Sequence, residues 1–180
     1  MAATYVWKED NGTQTGSPLR GTTAGTTITT CNWKNTDDTA TAYSSSPITA
    51  GNNSYSKYIY GHFSGTYNQL SAGLFSAHTA PSGALATGLT LVGKVSSTYA
   101  TPATSALGGS PTDFTTAVAI GSGLTVLFSD DGNPFTANPD ATQTANPSAT
   151  QYLITQLQTT ASAAAGDMAT VTMTLQYNEN

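Results

Sequence analysis

Apolar and polar residues alternate one by one along several short segments of the chain, which is the pattern of β-strands that bury one face. The alternation is strictest near the end, where threonines separate Val171, Met173 and Leu175. No segment repeats its apolar residues with the period of an amphipathic helix. The pattern predicts an all-β fold: an antiparallel β-sandwich of about eight or nine short strands, of jelly-roll or Greek-key type, with long loops.

Turn-forming residues divide the chain between these segments. Gly, Pro, Asn and Asp concentrate where the backbone is expected to reverse direction. The connections 96–114 and 130–147 are long for a compact domain and are predicted to be surface loops. The chain is predicted to form one domain over 1–180, with 1–25 as a candidate N-terminal docking arm. We predict strands at 4–8, 26–33, 39–46, 55–63, 69–77, 89–95, 150–160 and 169–177, and one or two short strands within 117–128, interrupted at Gly121 and Gly123.

Strand parity assigns side chains to the two faces of each predicted strand. In 26–33, Ile28 is expected on one face and Cys31 and Trp33 on the other. In 69–77, Leu70, Ala72 and Leu74 are expected to share a face. The aromatic strand 55–63 is expected to place Ile59 and Phe63 on one face, and Tyr58, Tyr60 and His62 on the other.

The amino-acid composition limits the classes of function that the chain can have. Threonine makes up roughly one residue in five, and charged residues only 8%, against about 25% in an average domain. Threonine fits a pleated, half-buried surface, so polarity is expected to come from hydroxyls on strands. The net charge is −5. The five basic residues are scattered along the chain at Lys8, Arg20, Lys34, Lys57 and Lys94.

The same features argue against several partners. Nucleic-acid binding needs clustered basic side chains, so it is not predicted. No apolar run approaches the length of a membrane span, and the first residues lack the pattern of a signal peptide. We therefore expect synthesis in the cytoplasm. Cys31 stands alone, which excludes an intrachain disulfide, and is predicted to be a small buried hydrophobe and not a catalytic thiol.

Candidate metal and catalytic residues are few. Asp130, Asp131 and Asp140 could supply oxygen ligands for calcium, although an ordinary turn is the favoured interpretation. His62 and His78 would approach each other if 63–77 forms a hairpin, but no cysteine or carboxylate accompanies them, so zinc is not predicted. No Gly-x-Ser-x-Gly motif surrounds a serine. The sequence predicts no enzyme, no cofactor and no metal site, and a hydrolase would need a histidine in a pocket beside Ser or Asp.

Four tyrosines form the candidate interface: Tyr55, Tyr58, Tyr60 and Tyr67. Tyrosines on a half-buried strand most often pack within the sheet. The alternative is an aromatic platform for a sugar or a protein. A subunit interface would satisfy both interpretations, because Tyr is enriched at interfaces.

The segment Ser-Tyr-Ser-Lys-Tyr-Ile-Tyr-Gly-His-Phe-Ser-Gly-Thr-Tyr-Asn-Gln-Leu, at 54–70, resembles a segment of β-sandwich structural proteins of tailed bacteriophages. In those proteins an aromatic–Lys–aromatic strand leads through Phe-x-Gly-x-aromatic-Asn into a second strand. The threonine-rich ending at 171–179, which closes in Gln-Tyr-Asn-Glu, is also similar to phage virion components. The resemblance extends over 54–75 and 171–179, which is about a fifth of the chain.

This resemblance implies a capsid decoration, or cement, protein that is non-enzymatic and free of cofactors. Its partner would be the major capsid protein, and the chain would form a homo-oligomer, for which a trimer is suggested by analogy. It would reside in the virion after assembly in the host cytoplasm, where it would bind neither nucleic acid nor membrane. The alternative is a head-fibre or tail adhesin module that binds host-surface glycans through an exposed aromatic groove at 55–67.

Overall fold

The computed structural model describes residues 3–13, 25–79, 85–114, 124–126, 134–137, 148–166 and 170–180. Nine strands in these residues form a six-stranded sheet and a three-stranded sheet. Every recorded strand pairing is antiparallel. The predicted all-β antiparallel β-sandwich is confirmed. The described residues contain no helix with the length and apolarity of a membrane span.

The larger sheet has the strand order β2-β1-β3-β8-β5-β6, and the smaller sheet has the order β7-β4-β9. A single 3-10 turn, η1, spans Tyr43–Ser45. The strands are β1 (Ala3–Asp10), β2 (Thr26–Ile28), β3 (Lys57–Gly65), β4 (Leu70–Thr79), β5 (Leu89–Ser96), β6 (Thr112–Asp113), β7 (Leu124–Val126), β8 (Tyr152–Thr159) and β9 (Val171–Glu179).

The main core lies between the two sheets. It includes the fully buried Ile59 and Phe63 of β3, Leu91 of β5 and Phe75 of β4. Aromatic rings meet edge to face across it, with Phe75 and Phe114 centroids 5.6 Å apart, a favoured geometry for ring pairs. As predicted, β9 packs alternate residues against this core: Val171, Met173, Leu175 and Tyr177.

A second core lies on the opposite face of the larger sheet. Tyr58 and Tyr60 of β3 pack there with Tyr152 and Ile154 of β8. The Tyr60 and Tyr152 rings meet edge to face at 5.7 Å. The predicted division of β3 between two faces is therefore confirmed, and both faces of this strand are buried.

The loop 97–111 covers this second core. Its Tyr99 and Leu107 pack against the tyrosines. Gln156 of β8 binds the loop at both ends of its amide, since Nε2 donates to Ser105 O at 2.9 Å and Oε1 accepts from Leu107 N at 2.9 Å. The predicted surface excursion is thus irregular in backbone, apart from β6, yet it is held by its own chain.

One predicted strand is too long and another is wrong. The strand expected at 26–33 ends at Ile28, and 39–46 contains η1 instead of a strand. Because no strand continues past Ile28, parity no longer applies there. Ile28, Cys31 and Trp33 all pack against the main core, contrary to the prediction that they face opposite ways.

The predicted hairpin across 63–77 is also wrong, since β3 and β4 belong to different sheets. In β4, Ala72 has a φ of 53°, and the pairing with β9 shifts register between Ser71 and Leu74. This bulge changes the parity. Leu70 and Phe75, which lie an odd number of residues apart, are consequently both in the core, and the predicted alignment of Leu70, Ala72 and Leu74 does not hold.

The candidate docking arm 1–25 begins with sheet structure. Residues 3–10 are β1, which pairs on one side with β2 and on the other with β3. This part is built into the larger sheet and does not project as an arm. Residues 14–24 lie outside the described part of the chain, as does most of 130–147. Within that second segment, Phe135 exchanges two backbone hydrogen bonds with Leu70, at 2.8 and 3.1 Å.

Core packing predicts the effect of one added methyl group. A Cβ at Gly93 would lie 2.8 Å from Phe114 Cε2, and this ring is fully buried. We expect Gly93→Ala to lower the free energy of unfolding by about 1–3 kcal/mol, the usual cost of overpacking. The matched control is Gly108→Ala, because nothing lies within 4 Å of that position. Urea denaturation of both variants tests this, and equal stabilities would contradict it.

Candidate functional site

A polar cleft of about 200 Å³ lies beside β2, the end of β1 and the start of β3. Exposed threonines of the segment 26–30 form its rim. Its inner wall includes Glu9, Lys57 and Lys34, each of which is at most 2% exposed, together with Asp38. Charged side chains buried this deeply are rare unless they are paired, so the cleft is the first candidate for a functional site.

Strand parity explains why Glu9 and Lys57 are buried. Glu9 follows Tyr5 and Trp7 on the core-facing side of β1, and Lys57 precedes Ile59 on the same side of β3. Lys57 Nζ lies 2.8 Å from Glu9 Oε1. The ion pair therefore closes one end of the main core, where apolar residues would be expected.

A loop polar network holds this pair in place. Asn11 Nδ2 donates to Glu9 Oε1 at 2.7 Å and to Asp37 Oδ1 at 2.9 Å. The backbone N–H of Gly12 donates to Asp37 Oδ2 at 2.6 Å. Asp37 thus joins the loop that follows Trp33 to the chain just beyond β1.

The second buried lysine belongs to the same loop. Lys34 Nζ donates to Asp38 Oδ1 at 3.0 Å and to Thr41 O at 2.6 Å. The backbone N–H of Thr41, 2.6 Å away, and then the Lys34 ammonium hold the pKa of the Asp38 carboxyl below its usual range. The predicted turn at Asp37–Asp38 therefore does more than reverse the chain. Asp38 accepts from Lys34 through Oδ1 and from Lys57 through its backbone carbonyl. Asp37 holds the residues that follow β1.

The thiol of Cys31, the one cysteine of the sequence, is a poor nucleophile at neutral pH. Burial, followed by the nearby Glu9 carboxylate, raises the pKa of Cys31 to about 12. The thiolate is the nucleophilic form of cysteine, so almost none of it exists at neutral pH. The prediction placed Cys31 as a buried hydrophobe in a strand, whereas the residue is half-buried, packs against the main core and lies outside any strand.

The charges of the inner wall cancel, with two ammonium groups against two carboxylates. Among the described residues, each lysine donates two hydrogen bonds of the three that an ammonium can donate. Together with the threonine hydroxyls, the cleft presents mixed donors and acceptors. In the described part of the chain, no group of three or more His, Cys, Asp or Glu side chains could hold a metal ion.

The structure separates the four candidate interface tyrosines. Tyr58 and Tyr60 belong to the second core and are 7% and 0% exposed. Tyr67 belongs to the main core and is 6% exposed. Tyr55 is half-buried. Burial thus places three of the four in internal packing, and the exposed groove expected for a glycan at 55–67 is not formed by these side chains.

The two candidate histidines lie in different sheets. His62 is half-buried, and burial, aided by Lys8, lowers its pKa. Its backbone partners are Val6 and Ala149, whereas the backbone of His78 pairs with Thr172 in the other sheet. The proposed calcium ligands Asp130, Asp131 and Asp140 lie outside the described residues.

Sequence reasoning did not find the two buried lysines or Glu9. A signal was present for the ion pair, since Glu9 and Lys57 occupy core parity positions in strands that are otherwise apolar on that side. Charge at such a position indicates a buried pair when two adjacent strands show it. No comparable signal marks Lys34, because it lies in a loop.

Comparison of the chain with protein-family models, with curated proteins and with solved structures gave no match. The functional argument therefore depends on the residues themselves.

The anchoring of Asp38 predicts an acid-dependent contribution to stability. Its lowered pKa means that, as pH falls, the unfolded chain takes up this proton before the folded chain does. The contribution is complete above the ordinary pKa of about 3.9 and is lost as pH falls below it. We expect wild type to exceed Asp38→Asn in melting temperature near neutral pH, with the gap closing towards about pH 2. Thermal melts followed by circular dichroism measure this, with Asp113→Asn as an exposed control. A gap independent of pH would contradict it.

Proposed function

We propose that the chain is a non-enzymatic structural component of a virion, a decoration (cement) protein that binds the outer surface of the capsid. The observation that carries the proposal is the location of the charges. Two of the five basic side chains, Lys34 and Lys57, are buried in ion pairs, and Lys94 donates to the Gly108 carbonyl. Basic side chains therefore contribute little to the exterior of the described residues.

A charge-poor exterior suits a protein that occurs in many copies on one shell. Like charges on neighbouring copies would repel each other, and a basic surface would attract nucleic acid. A surface rich in hydroxyl groups and poor in basic side chains avoids the second effect. Many copies on a repeated lattice also gain avidity, so each contact can be weak.

Rigidity supports the same function. Both faces of β3 and β8 in the larger sheet are packed. The loop 97–111 is held by Gln156 and by Ser56, whose Oγ accepts from Ala103 N at 3.2 Å. A preorganised surface loses little conformational entropy on docking. The 97–111 loop accordingly docks as a formed element and needs no ordering by the capsid.

The proposed partners are the major capsid protein and further copies of this chain. A trimer would match a three-fold position of a capsid and follows from analogy alone. The proposed location is the virion, after synthesis in the host cytoplasm. The resemblance of 54–70 and 171–179 to phage virion components supports this assignment.

The alternative, a head-fibre or tail adhesin module that binds host glycans, has one observation in its favour. The cleft rimmed by threonines 26, 27, 29 and 30 combines hydroxyl groups with buried lysine donors, and such groups can bind the hydroxyls of a sugar. This site differs from the tyrosine groove expected from the sequence.

Measurements on purified virions distinguish the cement protein from the adhesin module. We expect mass spectrometry to detect the chain in virions in many copies, and particles without it to release their genome at lower temperature. Adding back the purified protein should restore the release temperature. Absence from virions would contradict both candidate functions. Presence in virions that are equally heat-stable without the chain would contradict the cement proposal, and glycan-array binding would then favour the adhesin.

A further inference from the structure

Three side chains of different chemistry meet at one oxygen atom. Glu9 Oε1 accepts from Lys57 Nζ at 2.8 Å and from Asn11 Nδ2 at 2.7 Å. Because both bonds end on the same atom, the amine and carboxamide nitrogens are no farther apart than the sum of these distances. Glu9 and Lys57 are 2% and 1% exposed, so bulk water has little access to this contact.

The sheet register holds these groups together. The pairing of β1 with β3 runs from Ala3 opposite Gly65 to Asp10 opposite Tyr58. Continued by one residue, the same register places Asn11 directly opposite Lys57. Side chains of directly opposite residues lie on the same face, with Cβ atoms about 4.5–5.5 Å apart. Glu9, two residues before Asn11, shares that face.

We propose that Lys57 and Asn11 form an intramolecular isopeptide bond, with Glu9 carrying the proton. The ammonium of Lys57 first transfers a proton to Glu9, which leaves a neutral amine and a carboxylic acid. The amine nitrogen attacks Asn11 Cγ and forms the new C–N bond. The Cγ–Nδ2 bond breaks as Glu9 protonates the leaving nitrogen. Of the two protons on the former Lys57 amine, one passes to the released ammonia and makes it ammonium, and the other stays as the N–H of the new amide. The products are a secondary amide, a regenerated carboxylate and one ammonium ion, with no oxidant, metal or cofactor required.

Burial and orientation both favour this reaction. Each charge removed from water costs free energy, and one proton transfer over 2.8 Å neutralises both partners. Holding amine and amide on adjacent strands replaces a bimolecular encounter by an intramolecular one. A carboxylate that contacts both the attacking and the leaving nitrogen is placed for general acid–base catalysis.

A competing reaction starts from the same asparagine. Asn11 precedes Gly12, whose backbone nitrogen could attack the Asn11 side chain and give a succinimide, also with loss of ammonia. In the structure the Gly12 N–H donates to Asp37 Oδ2 at 2.6 Å. That hydrogen bond holds the backbone nitrogen on Asp37, which favours attack by Lys57. Both products lose one ammonia, so the experiment must locate the new bond.

Intact-mass spectrometry of the folded, purified protein tests the proposal directly. After denaturation we expect a mass lower than that of the sequence by one ammonia. Trypsin should then release a branched peptide that joins residues 9–20 to residues 35–94, because a modified Lys57 is not cleaved. Lys57→Arg and Glu9→Gln should show the full mass, and Asn11→Asp should lose one water instead. Lys94→Arg, which removes a lysine elsewhere, should retain the ammonia loss.

Full mass in folded wild-type protein would overturn the proposal whether or not any variant folds. Loss of ammonia that persists in Lys57→Arg would also overturn it, because the product would then be the succinimide at Asn11. Circular dichroism confirms that each variant compared is folded. The test is independent of virion assembly, so its outcome does not depend on the proposed function.

Discussion

Both faces of the central strands β3 and β8 must be covered, and much of the described structure is arranged around this requirement. β3 shows it most directly, because Ile59 and Phe63 enter one core while Tyr58 and Tyr60 enter another. A strand buried on both faces exposes no side for solvation. The smaller sheet covers one face, and the loop 97–111 covers the other. An irregular loop thus performs a task that a third layer of secondary structure performs in other folds.

The face of the larger sheet that packs against the smaller sheet loses its apolar cover near the start of β3. There the loop that follows β2 packs Cys31 and Trp33 against the core, and Trp33 Nε1 donates to Thr155 Oγ1 at 3.1 Å. The core-facing positions at this end are polar: Glu9, Lys57 and Thr155. A buried ion pair is weak support for stability by itself. The isopeptide bond proposed above would replace the buried Lys57 ammonium by a neutral amide, would leave the Glu9 carboxylate unchanged, and would tie the chain just beyond β1 to β3.

Sequence reasoning succeeded where neighbouring residues determine the structure. Strict alternation located β9, β8 and β5, and parity divided β3 correctly between two faces. It failed where tertiary contacts decide. The pattern at 26–33 is compatible with a strand, but the loop after Ile28 instead packs into the end of the core. The bulge at Ala72 changes the parity of β4 without any Gly at that residue to signal it, and the connection between β3 and β4 crosses between sheets where a hairpin was expected.

The candidate site was less predictable than the fold. Tyrosine content drew attention to 55–67, yet burial assigns three of those tyrosines to packing. In the sequence, Glu9 and Lys57 are isolated charged residues with nothing to show that their strands are adjacent. Their contact depends on strand pairing across a long sequence separation. The threonine excess is explained in part by edges and rims, such as β2 and the outer side of β9, where hydroxyl groups meet solvent without adding charge.

The most direct test of this account is native-state hydrogen exchange in the loop 97–111. The Ala103 and Leu107 amides donate to Ser56 and Gln156 side chains, so the account predicts protection comparable to that of the β8 backbone. Gln156→Ala should remove the protection at Leu107. Exchange of both amides at the rate of an unfolded chain, while β8 stays protected, would contradict the claim that β3 and β8 are buried on both faces.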